Sequence, residues 1–239
     1  MVRVAFVIGD YPPKERKRRE DVALGYSSAD VEVGIVSVKA TPYIHGLSPA
    51  ENYLVVPAFV DAFRDAEKQG YDAIVPLGTL DLGVDAGRSV VDIPVIAPFE
   101  AMLHIACLLG QRFGILVYSD HHIPNGHRNA LRYGMLDKIA GWRGSGVDLP
   151  DVAGNEQLQQ ETFLANAREL IEKERADVIL PMGITQCPVN MNPDWLSEQL
   201  GVPIVEGIGA PIRLAGMLAG LNLRHSRKYW PKSPSFADK

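Results

Sequence analysis

The chain has 239 residues, which is enough to bury a substantial core as one large domain or as two lobes of about 110–120 residues each. A net charge of −5 argues against nucleic acid as the main partner, and no apolar stretch approaches the length of a membrane span. Cys107 and Cys187 make no disulfide framework, and Met1–Val4 enters a strand without the layout of a secretory signal. The sequence therefore predicts a cytoplasmic protein with neither nucleic acid nor a membrane as its partner.

Strand-like apolar runs and segments with helical spacing alternate along the chain. The predicted strands are Val2–Ile8, Val31–Val38, Ala73–Leu77, Pro94–Ile96 and Phe113–Tyr118. The predicted helices are 50–70, Glu100–Leu109, Gly126–Tyr133, Glu156–Glu174, Trp195–Leu200 and Ala210–Leu221. Residues 139–154, rich in Gly and Asp, are predicted to form a loop. This alternation predicts an α/β fold of mainly parallel sheets flanked by helices, with right-handed crossovers.

Three apolar runs occur twice, in the same order. The pairs are Tyr71–Gly78 with Ala176–Gly183 at a spacing of 105, Val4–Asp10 with Gly114–Asp120 at 110, and Ile93–Ile96 with Val202–Val205 at 109. Such repetition indicates a duplicated half, and two halves leave a cleft between them. We predict a first lobe at 1–112, joined by the helix at 210–222, a second lobe at 113–209, and a surface tail at 223–239.

In parallel sheets, ligands bind beyond the carboxyl ends of the strands. The loops at those ends are Asp10–Pro13, Gly78–Asp81, Tyr118–His122 and Gly183–Cys187. The duplication selects the same four loops, so the sequence predicts the functional site there. The run Lys14–Arg19, just after the first loop, reads as a solvated helix face or as a basic patch that steers anions.

Asp72–Arg88, followed by Asp92–Ile96, resembles the aspartate/glutamate/hydantoin racemase superfamily, and the match continues at Glu100–Ala106, Leu109–Gly114 and Leu200–Glu206. The resemblance implies two similar lobes with the substrate between them. It also implies a cofactor-free enzyme acting on small carboxylates or cyclic imides. Racemases of this family place one cysteine from each lobe on opposite faces of an acidic carbon. Backbone N–H groups and hydroxyls then hold the enolate-like charge.

The chain departs from that cysteine pattern. Gly78 aligns with the first cysteine, and the second position falls between Ile184 and Gln186, so that Cys187 is the only thiol nearby. The arylmalonate decarboxylases of the same superfamily also keep glycine and threonine at the first site and one cysteine at the second. Gly78-Thr79 reproduces that dipeptide. The two-thiol mechanism is therefore not available to this chain in its usual form.

The candidate catalytic residues are Cys187, His122, His45 and Asp10. Cys187 reads either as an acid/base thiol or as a small residue in a turn. His122 or His45 would replace the lost thiol as an acid or base. Asp10 would repel a carboxylate, which favours a neutral or amide-bearing ligand. Cys107 lies in an apolar helix and reads as core.

The candidate substrate-binding residues are those of the four loops: Tyr11, Pro12, Gly78, Thr79, Leu80, Tyr118, Ser119, Gly183, Ile184, Thr185 and Gln186. Thr79 is favoured over Thr185, because its alignment has no gap. Asp81, Asp85 and Glu100 read as residues that brace the loop or favour a helix start. No metal site is expected, because His121, His122 and His127 fit no standard zinc spacing.

The leading hypothesis is a cofactor-free, racemase-like isomerase. It would stabilise an enolate-type intermediate of a small carboxylate, lactone or cyclic imide, and we expect a homo-oligomer. Three alternatives remain open: a decarboxylase or other lyase that uses a single thiol, a hydrolase that uses His and Asp, and a small-molecule binding protein that has lost catalysis.

Overall fold

The computed structural model describes residues 1–39, 47–146 and 155–236. Its strands are β1 (Val2–Ile8), β2 (Val31–Ser37), β3 (Ala73–Pro76), β4 (Phe113–Val117), β5 (Ile139–Gly144) and β6 (Val178–Pro181). Its helices are α1 (Pro13–Leu24), α2 (Pro49–Lys68), α3 (Val84–Arg88), α4 (Pro98–Leu109), α5 (Ile123–Arg132), α6 (Glu156–Glu172), α7 (Pro193–Leu200) and α8 (Gly209–Gly220). The structure therefore keeps the strand–helix alternation that the sequence predicts.

The strands form two parallel three-stranded sheets with the same order, β2-β1-β3 and β5-β4-β6. Each sheet is extended in the same way, by a short parallel bridge from Ile74 to Val95 in the first and from Ile179 to Ile204 in the second. The predicted fold class is confirmed: two similar α/β lobes, each a parallel sheet flanked by helices.

The register of the sheets corrects one detail of the duplication. Val7 pairs with Pro76 in the first sheet, and Leu116 pairs with Pro181 in the second. The first strands are therefore related by 109 positions and not by the 110 that the sequence match gives. Both faces of these strands are buried, so their apolar runs lack the alternation that would fix the register to one residue.

The predicted loop at 139–154 is wrong over its first part, because Ile139–Gly144 is strand β5, which pairs with β4 along the edge of the second sheet. Two glycines and a half-buried edge position weaken its strand signal. The rest of that prediction, from 147 to 154, lies outside the described residues.

The first sheet is covered on both faces. Val55, Phe59 and Phe63 of α2 share one buried apolar cluster with Ala5 and Val7. On the other face, α8 packs with β1 through Ile212, Ala215 and Ala219, which lie in one buried cluster with Val4 and Phe6. This packing supports placing the 210–222 helix with the first lobe, and the lobe bounds themselves stay a prediction.

Helix α1 carries the Lys14–Arg19 run, and its two lysines are exposed. Arg19 is the exception, since it is only 3% exposed. The expectation of a wholly solvated face is therefore wrong at Arg19.

The described part of the tail is held along the surface of the first lobe. His225 Nε2 accepts a hydrogen bond from the Val95 N–H at 2.8 Å, and Arg227 and Lys232 pair with Asp92 at 2.7 and 2.5 Å. None of the helices in the described ranges is long and apolar enough to cross a membrane.

Candidate functional site

The first-lobe loop follows β3 at Gly78. Gly78 has φ +99°, a backbone conformation that residues with a side chain rarely adopt, and a Cβ added there would meet no heavy atom of the described residues within 4 Å. Thr79, the next residue, is buried. The position that aligns with the first cysteine of the family is therefore a turn that glycine adopts without strain, and no described residue contacts its Cα substituent position.

Asp81 braces this loop from within. Its carboxylate accepts hydrogen bonds from the N–H groups of Phe99 at 2.8 Å and Glu100 at 3.3 Å, and from the Tyr133 hydroxyl at 2.7 Å. Burial raises the pKa of Asp81 to about 7, against the lowering effect of these donors. Asp81 thus joins the loop to the start of α4 and to the end of α5.

The second-lobe loop follows β6 and is held by two residues from elsewhere in the chain. The Thr185 N–H donates to the Tyr118 hydroxyl at 3.0 Å. The Thr185 hydroxyl accepts a hydrogen bond from Arg19 Nη2 at 2.6 Å. A Cβ on Gly183 would lie 2.8 Å from the Tyr118 ring, so this close approach requires glycine.

His122 lies beside Tyr118 in the loop after β4. The residue is 7% exposed, its Nδ1 is 3.3 Å from Ser119 Oγ, and its ring centroid is 5.6 Å from that of the Tyr118 ring in an edge-on arrangement. His121 and His127 are exposed. His122 is thus the histidine of the predicted set that the described structure places with other site residues.

Cys187 has no exposed surface and belongs to the apolar cluster that contains Leu116, Phe163 and Met191. Burial, followed by the nearby Glu206 carboxyl, raises the pKa of the Cys187 thiol well above its usual value. The thiol is therefore neutral and enclosed. This placement favours the structural interpretation of Cys187, and its catalytic role stays a prediction.

Glu206 lies at the start of α8, where its carboxylate accepts hydrogen bonds from the N–H groups of Ile208 and Gly209, both at 2.6 Å. Burial raises its pKa, while these donors and the Tyr26 hydroxyl lower it. Glu206 therefore serves the start of α8.

Gln186 is fully buried, and neither its Oε1 nor its Nε2 has a hydrogen-bond partner among the described residues. Gln159 on α6 is also fully buried, and its Nε2 lacks such a partner. Buried amides are nearly always paired in proteins. These unpaired amide atoms lie beneath the second-lobe loop and are enclosed as fully as the Cys187 thiol.

The loop after β1 contributes less. Asp10 and Pro12 are exposed, while the Tyr11 ring lies under the Arg19 guanidinium at 4.5 Å. His45 lies outside the described residues.

The two lobes meet at Gly207. A Cβ on Gly207 would lie 2.6 Å from Thr79 Cγ2 and 3.4 Å from Ile184 Cγ2. Ile184 shares a buried apolar cluster with Ile8 and Leu77 of the first lobe. The structure therefore brings the Gly78 and Gly183 loops together, and it fills one candidate position of the second cysteine with an apolar side chain.

Arg19 is the site residue that sequence reasoning missed. Arg19 belongs to a dense run of charged residues. Its place on the buried side of α1 distinguishes it from the exposed Lys14 and Lys17. Asn129 on α5 was also missed, and its Nδ2 donates to the Leu80 carbonyl at 3.1 Å.

Within residues 1–39, 47–146 and 155–236, no three His, Cys, Asp or Glu side chains are grouped so that they could hold a metal ion.

The sequence profile of the Asp/Glu/hydantoin racemase family matches residues 25–215. A hydantoin racemase of Pseudomonas sp. (strain NS671) is 26% identical over 222 residues, which cover 90% of this chain and 85% of that protein. A hydantoin racemase of Rhizobium meliloti is 27% identical over 179 residues, covering 74% of this chain and 73% of that protein.

Among solved structures, allantoin racemase from Klebsiella pneumoniae superposes with a TM-score of 0.87 at 19% identity, covering 98% of this chain and 94% of that one. A liganded arylmalonate decarboxylase variant, with one glycine changed to cysteine and one cysteine to serine, gives a TM-score of 0.65 at 18% identity, covering 98% of this chain and 100% of that one. These likenesses show the shared fold. Because the family profile spans most of the chain, the protein belongs to the Asp/Glu/hydantoin racemase family and is an enzyme of the racemase type.

Proposed function

We propose that this enzyme removes and returns a proton at the carbon beside a carbonyl of a small cyclic imide, without a cofactor. The observation that carries the proposal is that the loops carrying Thr79 and Thr185 meet at Gly207, with hydroxyl groups on both loops and on Tyr118. Such groups stabilise the negative charge that develops on the carbonyl oxygen once the proton leaves.

A cyclic imide is favoured over a carboxylate or a lactone by the charge of the first-lobe loop and by the relatives of this chain. The exposed Asp10 carboxylate would repel an anionic ligand. The curated relatives are hydantoin racemases, and hydantoins are cyclic imides.

His122 is the proposed acid/base group. It is buried beside Tyr118 and Ser119, and an imidazole serves well as a general base near neutral pH. The neutral, enclosed thiol of Cys187 is less suited to this role. Gly78 provides no side chain, so a second group on the opposite face would have to be Asp10 or His45.

The test measures solvent deuterium at the acidic carbon of a panel of 5-substituted hydantoins, each supplied as a single enantiomer. We expect deuterium exchange, and we expect it to outpace inversion if His122 is the only base, because a single base returns the proton to the same face. His122→Gln should lower the exchange rate by about 10²–10⁴-fold. His127→Gln, an exposed change on the adjoining helix, should leave the rate unchanged.

A second candidate function is decarboxylation. The space that the described residues leave beside Gly78 favours it, since a departing carboxyl group would need room where racemases carry a thiol. Release of CO₂ from an arylmalonate, with one solvent deuterium in the product, would support this alternative over isomerisation.

The remaining alternatives give distinct results in the same panel. Incorporation of oxygen from labelled water into the product would indicate a hydrolase. Saturable binding without exchange, CO₂ release or hydrolysis would indicate a binding protein. We also expect a homo-oligomer in the cytoplasm, and sedimentation of the purified protein tests the oligomer.

A further inference from the structure

Arg19 spans the boundary between the lobes. Its Nη2 donates to Thr185 Oγ1 at 2.6 Å, and its guanidinium lies 4.5 Å from the centre of the Tyr11 ring. Both ends of the hydrogen bond are buried, with Arg19 3% and Thr185 4% exposed. One side chain thus touches a site loop from each lobe.

This contact fixes the direction of the Thr185 hydroxyl. A guanidinium has only donors, so the Thr185 oxygen must accept from Arg19, and its own hydrogen is directed to another acceptor. The Thr185 N–H is already used by Tyr118. A hydroxyl whose oxygen accepts from a cation is also a stronger donor, because the two bonds polarise each other.

Packing alone does not account for a buried arginine here. Taking the charge out of water is costly unless it is paired, and the Arg19 Nε has no partner among the described residues. Glu15 compensates the charge at 2.8 Å, and its hydrogen bond to Arg19 lowers the pKa of the Glu15 carboxyl. The planar fork of the arginine presents Nη1 to Glu15 and Nη2 to Thr185 at the same time.

The equivalent contact from the second lobe to the first-lobe loop involves no charged group. Asn129 on α5 donates to the Leu80 carbonyl at 3.1 Å, two residues after Gly78, as Thr185 lies two residues after Gly183. Asn129 is neutral, and its partner is a backbone carbonyl without a hydrogen to donate. The charge-assisted hydroxyl therefore belongs to the second-lobe loop.

We propose that Arg19 is a positioning residue that orients and polarises the Thr185 hydroxyl, so that this hydroxyl donates to the substrate oxygen that gains negative charge. The proposal rests on the proposed function for its reaction. Its test therefore includes a binding measurement that does not depend on turnover.

The variants are Arg19→Met, Arg19→Lys, Thr185→Val, Thr185→Ser and the double variant Arg19→Met/Thr185→Val. The matched control is Arg18→Met, which removes a cation from the same helix. Arg18 Nη2 donates to the Asn190 side chain at 2.6 Å. The first readout is the kcat and KM of deuterium exchange on the best hydantoin of the panel. The second is the calorimetric affinity for barbiturate, a planar cyclic anion whose charge is delocalised onto the carbonyl oxygens attached to its ring.

Thr185→Val should lower kcat by about 10²-fold, as expected for one lost oxyanion donor, with a small change in KM. Arg19→Met should lower kcat by about tenfold or more, and the double variant should be no slower than Thr185→Val, because both changes remove one interaction. Thr185→Ser should retain most activity, Arg19→Lys should be intermediate, and Arg18→Met should match the wild type. Barbiturate affinity should follow the same order.

Additive losses in the double variant, or an Arg19→Met enzyme with wild-type kcat and barbiturate affinity, would overturn the proposal. So would a wild-type enzyme that turns over hydantoins yet binds no barbiturate. If the wild type exchanges no hydantoin but binds barbiturate in an Arg19- and Thr185-dependent way, the proposed function fails and the Arg19 assignment stands.

Discussion

The ring of Tyr118 lies against the backbone of Gly183 so closely that a Cβ there would come within 2.8 Å of it. The same Tyr118 hydroxyl accepts the Thr185 N–H, so ring and loop are fixed together. Gly183 is thus required by contact, whereas Gly78 is required by its backbone angle.

This difference predicts distinct costs for the two alanine variants. Gly78→Ala should destabilise by about 1–2 kcal/mol through its positive φ alone. Gly183→Ala should cost about 1–3 kcal/mol, because the Tyr118 ring must shift, and it should also reduce turnover. Denaturant unfolding measures both costs. Gly220→Ala, at the end of α8, is the control and should be neutral or slightly stabilising.

Substitution of Cys187 distinguishes a catalytic role from a packing role. Because it is fully buried among apolar side chains, we expect Cys187→Ala to lose about 1–2 kcal/mol of unfolding free energy and to keep its turnover per folded molecule. Native protein should also protect this thiol from a thiol-specific reagent. A stable Cys187→Ala enzyme with turnover reduced by about 10²–10⁴-fold would instead establish it as the acid/base group.

Asp81 should make stability depend on pH near neutrality. Its folded pKa of about 7 lies above the usual value of 3.8, so the folded state binds the proton more tightly than the unfolded state. Its contribution is fully present below about pH 4 and is lost as the pH rises through 7. Thermal unfolding from pH 4.5 to 8 should show the wild type losing stability relative to Asp81→Asn. Asp85→Asn, at the partly exposed ion pair with Arg132, should not reproduce this trend.

His225 should make folding stability depend on pH in the opposite sense to Asp81. Burial, together with the nearby Arg88 and Arg227, lowers its pKa from 6.5 to about 4. The neutral ring accepts the Val95 N–H, and its contribution is present above pH 6.5 and is lost as the pH falls towards 4. His225→Gln, which keeps an acceptor, should therefore lose less thermal stability than the wild type on acidification. His104→Gln, an exposed change on α4, is the control, and a wild-type response from His225→Gln would contradict the assignment.

The architecture could be predicted because the same apolar runs occur in both halves of the sequence. The strand–helix alternation, most of the helix positions and the four loops follow from runs that keep their order in both halves, whereas the strand order comes from the structure. Strand β5 was missed, since Ile139–Gly144 has neither a long apolar run nor alternation. The one-residue error in the first-strand match has the same origin, because a fully buried strand does not mark which face each residue takes.

The site was harder to predict, because side-chain depth decides its chemistry. Sequence position alone could not separate His122 from its exposed neighbour His121, nor show that Cys187 is enclosed. It could not single out Arg19 within a charged helix, since its burial depends on a loop more than 160 positions later, as the spacing of 166 to Thr185 shows. Contacts of this kind arise only when the lobes pack together.

Each lobe donates one hydrogen bond to a strand-end loop of the other lobe. In a twofold-symmetric dimer, a residue of each subunit contacts the equivalent loop of the other, and the two contacts occur as a reciprocal pair. Arg19 with Thr185 and Asn129 with Leu80 form such a pair within one chain. The boundary between the lobes therefore has the reciprocal arrangement of a twofold subunit interface within one chain. The two contacts differ in charge, because the donor is a guanidinium in Arg19 and a neutral amide in Asn129.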